Sequence, residues 1–356
     1  LGQIVKILHF HYGTDGGAER FFVNLATALH ARGVEQEFFV RPDRSWKSDI
    51  DKLGKVHEGY IRPLSLSWLF LPGRIRRIVK TFQPDVMMGW RPRVIRLMKN
   101  YPHILRVGRL GDYPTKLGAF ASADRMIVNT PGVAERFVNL GWTKPIDVVS
   151  NFTRVKPCAP IAREKLSTRH DAFVVVAVGR FVKIKGYDML IRALARLPGV
   201  ILWLVGDGEE RAALEKLAGE LGVIDRIRFT GWQADPAPFL AGGDVVAISS
   251  SHETLGNVIL EGWSMGLPVV STRAKGPRWL ITEGEDGLLV DIGDDAQFAA
   301  AIDQLRESAR LRDHLTSGGR RTLEQRFTVD AVTTAYLDVL ERGIKEHSKK
   351  CGGGTR

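Results

Sequence analysis

Short apolar runs alternate with amphipathic stretches from one end of the chain to the other, the pattern of parallel strands joined by crossover helices. In the first half, strands are expected near residues 5–10, 37–40, 86–89, 104–107, 126–129 and 146–149, with helices between them. The clearest helix runs over 18–32, and Gly33 is placed as its stop. The segment "SNFTRVKPCAPIAREKLSTRH" then brings two prolines and no apolar period, so a domain boundary is expected near 151–170. Strand signals resume with "AFVVVAVGR", "VILWLVGDG", "IRFTGW", "DVVAISS", "LPVVST" and "GLLVDI", and helices are expected over 186–197, 209–221, 257–265 and 296–307. Two doubly wound α/β halves in one chain suggest a ligand held at their strand ends.

Composition narrows this picture. With 356 residues, 44% hydrophobic and 26% charged, the chain is long enough for two cores and reads as a soluble globular protein. No stretch approaches the roughly 18 apolar residues that span a bilayer, and "IVKILHFHYG" reads as a first strand rather than a signal peptide. Cys158 and Cys351 are far apart, which supports neither a disulfide framework nor a zinc site and fits a reducing compartment. The tail "HSKKCGGGTR" reads as disordered. Charge is unevenly placed: residues 1–160 carry 25 Lys and Arg against 13 Asp and Glu, and the remainder 26 against 27. A basic first half points to an anionic partner, such as a phospholipid surface, a phosphorylated glycan or nucleic acid; the alternative is a solvated basic face.

Three elements carry chemistry. In "HYGTDGGAERFFVNLA", Gly16 and Gly17 lie between a strand and a helix, where backbone can approach a ligand and free amides favour negative charge. The glycine spacing is not the dinucleotide fingerprint and no Walker lysine follows, so a plain tight turn is the competing reading. In "VAVGRFVKIKGYDML", Gly179 allows a turn that presents Arg180, with Lys185 just before the next helix. Two cations at a strand's end would neutralise a diphosphate without a metal; otherwise they are surface cations in a loop. In "SSSHETLGNVILEGWSMGLPVVST", Glu253 precedes a helix and Glu261 lies two turns inside it, about 12 Å away at 1.5 Å per residue. That is the span from a donor sugar to the ribose of its nucleotide, and the amides of Leu255, Gly256 and Asn257 between them can meet phosphates.

Other residues fit less well. His9 and His11 share a strand end without a carboxylate or cysteine cluster, which favours packing or acceptor contact over metal. The Asp49-Ile50-Asp51 triplet lies in a charged loop and is set aside as a metal motif. In "LSLSWLFLPGRIRRIVKTF", Trp68, Leu69, Phe70 and Leu71 neighbour Arg74, Arg76, Arg77 and Lys80, a mixture that suits either a headgroup layer or a core helix with a basic exposed side.

Taken together, Gly16–Arg20 ("GGAER"), Arg180 with Lys185, and Glu253-x7-Glu261 resemble the retaining glycosyltransferases of family 4, and the similarity runs through "LVGDGEER", "FTGW" and "GEDGLLV". Within that family the likeness is to enzymes of lipopolysaccharide core assembly, mannosyltransferases in particular. The resemblance implies the GT-B fold, two Rossmann-like domains facing each other across a cleft. An N-terminal acceptor-binding domain would span 1–155 and a C-terminal nucleotide-sugar domain 156–345, its last helix able to pack back on the first domain, with a tail at 346–356. It implies a metal-independent hexosyltransferase without cofactor, using GDP-mannose or a UDP-hexose and a lipid-linked or oligosaccharide acceptor. Such an enzyme would be cytoplasmic and peripheral on the cytoplasmic face of the inner membrane, would meet an anionic membrane surface and would bind no nucleic acid. Glu261 would hold the ribose and Glu253 the donor hexose, with Thr254 beside it, and Arg180 and Lys185 the leaving diphosphate. Gly16 and Gly17 would wall the phosphate and acceptor region. Asp112 would engage acceptor or donor sugar, and Arg109 and Lys116 an acceptor phosphate. Thr254 and Leu255 depart from the family pattern, where proline or glycine and then phenylalanine are common. The rival readings are a sugar-nucleotide epimerase on the same architecture and a basic nucleic-acid-binding protein, the latter lacking the aromatic platform such proteins use.

Overall fold

The computed structural model describes residues 5–14, 16–60 and 66–352, and the chain divides into two compact units. The first comprises Leu1–Asn151 with Val329–Arg356, the second Phe152–Thr328. Among the described residues, the first unit holds seven strands: β1 (Lys6–His11), β2 (Glu35–Val40), β3 (Val56–Glu58), β4 (Val86–Gly89), β5 (Leu105–Leu110), β6 (Arg125–Val128) and β7 (Ile146–Val148). All pair in parallel, in the order β3-β2-β1-β4-β5-β6-β7. The second unit holds β8 (Phe173–Val178), β9 (Val200–Val205), β10 (Ile227–Phe229), β11 (Val245–Ile248), β12 (Val269–Thr272) and β13 (Leu288–Val290), also parallel, in the order β10-β9-β8-β11-β12-β13.

Strands buried on both faces must be apolar throughout, and β8, "FVVVAV", is. Val175 and Ala177 enter the core on one side of the second sheet with Leu190, Phe298 and Ile302, while Val174 and Val176 enter the opposite core with Trp203, Ile259 and Trp263. In the first unit the Leu66–Phe82 helix puts Leu71, Ile75, Ile78 and Val79 into the core and leaves Phe70, Arg74, Arg76, Arg77 and Lys80 exposed. The side chains of Trp68 and Leu69 lie outside the described residues.

Three features depart from the sequence reading. Strand β3 is a three-residue edge strand whose half-buried residues give no apolar run. The Ala309–Arg326 helix is strongly polar and buries only Leu315, Gly318 and Gly319, so it has no conspicuous apolar stripe. The supposed disordered tail is helical as far as Gly352, the end of the Val329–Gly352 helix. That helix is anchored to the first unit by Tyr336, fully buried, by Arg125 paired with Glu346, by Arg342 paired with Asp147, and by His347 Nε2, 3.0 Å from the Pro102 carbonyl. Lys349 and Lys350 in its last turn complement the helix dipole.

Helix Ala309–Arg326 also backs the Asn257–Ser264 helix. The Trp263 indole donates to the Asp286 carbonyl at 2.8 Å, and an ideal Cβ on Gly319 would lie 2.3 Å from Trp263 Cδ1. A Cβ on Gly318 would lie 1.8 Å from the Glu285 carbonyl oxygen, which is backbone and cannot swing aside. Alanine normally gains about 1 kcal/mol over glycine in a helix interior. Here Gly318→Ala is expected to destabilise the protein by ~1–3 kcal/mol through overpacking, read as a lower urea midpoint.

Candidate active site

In the second unit the strand order reverses between β8 and β11, and open α/β sheets bind ligands beyond the strand ends at such a reversal. The loop leaving β8 carries Arg180, which is exposed, and ends in a short turn, Lys183–Lys185, before Gly186. Gly186 has φ 64°, and a Cβ there would stand 2.2 Å from the Ser249 carbonyl oxygen. The two loops are therefore stitched backbone to backbone. Ser249 Oγ donates to the Lys185 carbonyl at 2.8 Å, and the Ser251 amide to the Ile184 carbonyl at 2.9 Å. This stitching delivers Lys185 Nζ to Glu253 Oε2 at 2.6 Å, and Ser250 Oγ donates to the same oxygen at 3.3 Å. The Lys185 and Glu253 side chains are 26% and 18% exposed, so the pair is partly desolvated and still open to a ligand. Burial, and then the Glu253 carboxylate, push the Tyr187 phenol above the usual tyrosine range.

Beyond Glu253 the chain turns through Thr254, Leu255 and Gly256 into the Asn257–Ser264 helix. Gly256, the N-cap, sits at φ 93° and brings no side chain of its own to the first amides. Glu261 lies in the second turn and is 6% exposed, an uncommon setting for a carboxylate unless it serves a partner. For Leu255 the sequence reading looks to the backbone amide. Its side chain is 3% exposed and packs with Ile259 and Leu260, so only its backbone can serve a ligand. Gly276 lies close beside that amide: a Cβ on it would be 2.5 Å from Leu255 N, and glycine leaves this space open.

The first unit reverses its strand order between β1 and β4, and a second polar cluster lies there. Gly16 is exposed, and Gly17 starts the Gly17–Ala31 helix. In its first turn Glu19 is 3% exposed and accepts from Arg91 Nη2 at 2.5 Å, joining the start of this helix to the loop after β4. Glu19 fills the space over the loop: a Cβ on Gly13 would fall 1.8 Å from its Oε1. The Gly13 amide donates to His11 Nδ1 at 3.0 Å, which leaves the ring's proton on Nε2, 3.9 Å from Glu19 Oε1. His9 is likewise neutral by construction. Gln36 Nε2 donates to the Ala26 carbonyl, so Gln36 Oε1 accepts from His9 Nε2 at 3.0 Å, and His9 Nδ1 accepts from the Trp90 indole at 3.1 Å. Burial lowers His9 to about 4; burial, with Arg91 adding to it, lowers His11 to about 3. Both histidines are packing groups of this core. Among the described residues no group of three His, Cys, Asp or Glu is placed to hold a metal ion.

Of the residues assigned to the acceptor, Asp112 and Lys116 lie exposed in the loop after β5, and Asp112 Oδ1 accepts from the Tyr113 amide at 2.8 Å. Arg109 is a correction. It is 3% exposed, bonds Asn151 and Tyr336, and stacks 4.7 Å from the Phe21 ring centre, so it ties the Val329–Gly352 helix to the sheet and presents no cation to solvent. The structure thus brings Lys185, Glu253 and the Gly256 turn together. It also shows a Glu19–Arg91 bridge that sequence reasoning missed: an acid after a glycine loop was a visible signal, but its partner 72 positions away was not.

The family described as Glycosyltransferase Family 4 matches residues 15–156, and that described as Glycosyl transferases group 1 matches residues 172–308. Lipopolysaccharide core biosynthesis glycosyltransferase LpsD of Rhizobium meliloti is 49% identical over 96% of this chain and 99% of its own length. LpsE of the same organism is 52% identical over 94% of this chain and 99% of its own. Among solved structures, Anabaena HepE in complex with UDP-glucose superposes with a TM-score of 0.83 at 24% identity, covering 95% of this chain and 99% of that one. Two parallel Rossmann-like domains of seven and six strands define the GT-B fold, and the chain belongs to the family 4 glycosyltransferases.

The neutral His9 makes a pH prediction. Its folded value, about 4, lies below the ordinary 6.5, so below pH 6.5 the unfolded chain takes up a proton that the folded chain refuses. Its contribution, fully present above 6.5, is lost as pH falls towards 4 and amounts to on the order of 3 kcal/mol. Unfolding free energies of the wild type are expected to decline more steeply over this window than those of His9→Gln, measured by denaturant titration at successive pH values.

Proposed function

We propose that this glycosyltransferase moves a hexose from a nucleotide sugar to a glycan acceptor in the assembly of lipopolysaccharide core or a related cell-surface polysaccharide, keeping the anomeric configuration. The observation that carries this reading is the Lys185–Glu253 pair at the β8/β11 reversal, with exposed Arg180 before it and buried Glu261 behind it. The two Rhizobium relatives, similar over nearly their whole length and described as lipopolysaccharide core enzymes, supply the class of acceptor.

In this reading the donor's diphosphate meets Arg180, Lys185 and the amides at Gly256 and Asn257. Glu253 accepts hydroxyl hydrogen bonds from the hexose and Glu261 from the ribose. The bond between the anomeric carbon and the diphosphate oxygen breaks, and charge grows on that oxygen where the cations stand. The acceptor hydroxyl attacks from the same face and passes its proton to the departing diphosphate. Because protein cations meet the charge, a chelator leaves the rate unchanged. GDP-mannose is the favoured donor on family resemblance, and UDP-glucose, which the Anabaena structure holds, is its competitor.

We also propose that the enzyme works at an anionic membrane surface. The exposed side of the Leu66–Phe82 helix offers Phe70, 67% exposed, with Arg76, Arg77 and Lys80, and no helix among the described residues is long and apolar enough to cross a membrane.

Two experiments test these readings. With a panel of nucleotide sugars, Lys185→Ala and Glu261→Ala are each expected to lower turnover by about 10²–10³-fold with unchanged thermal unfolding; rates near wild type remove the site assignment. Replacing Arg76, Arg77 and Lys80 together by Ser is expected to abolish co-sedimentation with phosphatidylglycerol vesicles, and retention of binding removes the membrane reading.

A further inference from the structure

A cationic patch at the strand ends of the first unit is not accounted for by the donor site. Strand register aligns His11 with Val40 and Val40 with Glu58, so the next residues, Tyr12, Arg41 and Gly59, form one row across β1, β2 and β3. At strand spacings of about 4.8 Å, the row spans roughly 10 Å. Tyr12 crosses it, its hydroxyl donating to the Gly59 carbonyl. Two further guanidiniums converge there from outside the row. Arg74 Nη2 donates to the Glu58 carbonyl at 2.7 Å; Arg44 Nε donates to the Pro42 carbonyl at 3.1 Å and its Nη1 to the Gly13 carbonyl at 3.4 Å.

These contacts hold Arg44 and Arg74 without neutralising them, since each acceptor is a backbone carbonyl. Arg41 forms no ion pair among the described residues, and it and Arg74 both act electrostatically on the Tyr12 hydroxyl. Of the nearby acids, Glu58 pairs with Lys47 at 3.0 Å, while Asp43 accepts from the neutral Tyr60 phenol at 3.4 Å and keeps its charge. Arg74 is exposed and Arg41 and Arg44 are half-buried; Arg41 and Arg74 act on the Tyr12 phenol, and Arg44 lies at the Gly13 carbonyl next to it in the chain.

We propose that Arg41, Arg44 and Arg74 form a binding site for an oxyanion carried by the acceptor saccharide, a phosphate monoester or a sugar carboxylate. Planar guanidiniums match both groups through paired N–H donors, and the two already held by backbone carbonyls lose little freedom on binding. Tyr12, stacked on Phe39 at 6.1 Å between ring centres, and half-buried Tyr60 border these arginines, and phenol side chains suit a sugar better than a bare ion. This inference rests on the glycosyltransferase reading for the word acceptor; the anion site itself stands on the first unit alone. It also separates Arg74 from Arg76, Arg77 and Lys80, which remain on the exposed side of the helix.

The test is calorimetric titration of the full chain with glucose 6-phosphate, glucuronate, inorganic phosphate and methyl glucoside. At least one charged sugar is expected to bind tenfold or more tightly than methyl glucoside and more tightly than inorganic phosphate, and to lose that advantage in Arg41→Gln/Arg74→Gln. Preference for glucose 6-phosphate identifies a phosphate and preference for glucuronate a carboxylate. Equal binding of all three organic probes, inorganic phosphate matching the charged sugars, or an unaffected double variant overturns the proposal. If the double variant does not fold, the single Arg41→Gln variant decides. Binding of the nucleotide-sugar panel is measured in parallel and should be the same in variant and wild type. Loss of donor binding by the wild type, with the anion site intact, would count against the glycosyltransferase reading alone.

Discussion

Where the loop after β8 passes the loop after β11, two backbones lie so close that a single methyl at Gly186 would stand 2.2 Å from the Ser249 carbonyl oxygen. The candidate donor site depends on this contact. It allows the Ser249 hydroxyl and Ser251 amide to cap carbonyls of the opposite loop, and it brings Lys185 within 2.6 Å of Glu253. An ion pair held this way costs little further ordering when a ligand arrives, because both side chains already occupy one geometry. Partial burial strengthens each for a charged or hydroxylated ligand, while the remaining exposure leaves room for one.

The first unit uses the same architectural device differently. At its own order reversal the backbone is braced by a buried carboxylate, Glu19, clamped by Arg91, and by two histidines kept neutral by donors aimed at their unprotonated nitrogens. Arg109 is drawn inward to hold the returning C-terminal helix through Tyr336. The excess positive charge of residues 1–160 thus has several fates: some of it is internal bracing, some lies along the Leu66–Phe82 helix, and some gathers around Tyr12. Net charge alone does not distinguish them, because Coulombic roles depend on which acid, carbonyl or solvent each cation faces.

The chain's periodicity made the sheets legible. Parallel strands buried on both faces have to be continuous apolar runs, and β4, β8, β9 and β11 are such runs in the sequence itself. The Ala309–Arg326 helix was not legible for the converse reason: it docks through two glycines and one leucine, which leave no stripe. Among site residues, Arg180, Lys185, Glu253 and Glu261 stood out because each follows a strand end or a glycine turn, and those are local signals.

By itself, then, the sequence determined two parallel α/β halves, their strands, and the loops where charge and glycine meet, since local propensity and burial pattern specify these. Which side chains meet was decided only by the tertiary structure. Lys185 and Glu253 are 68 positions apart, Glu19 and Arg91 72, and Arg109 and Tyr336 227. Strand order sets those distances, and no residue's immediate neighbours encode it. The same holds for burial: Arg109 has the residue type of an exposed cation, yet packing turned it inward.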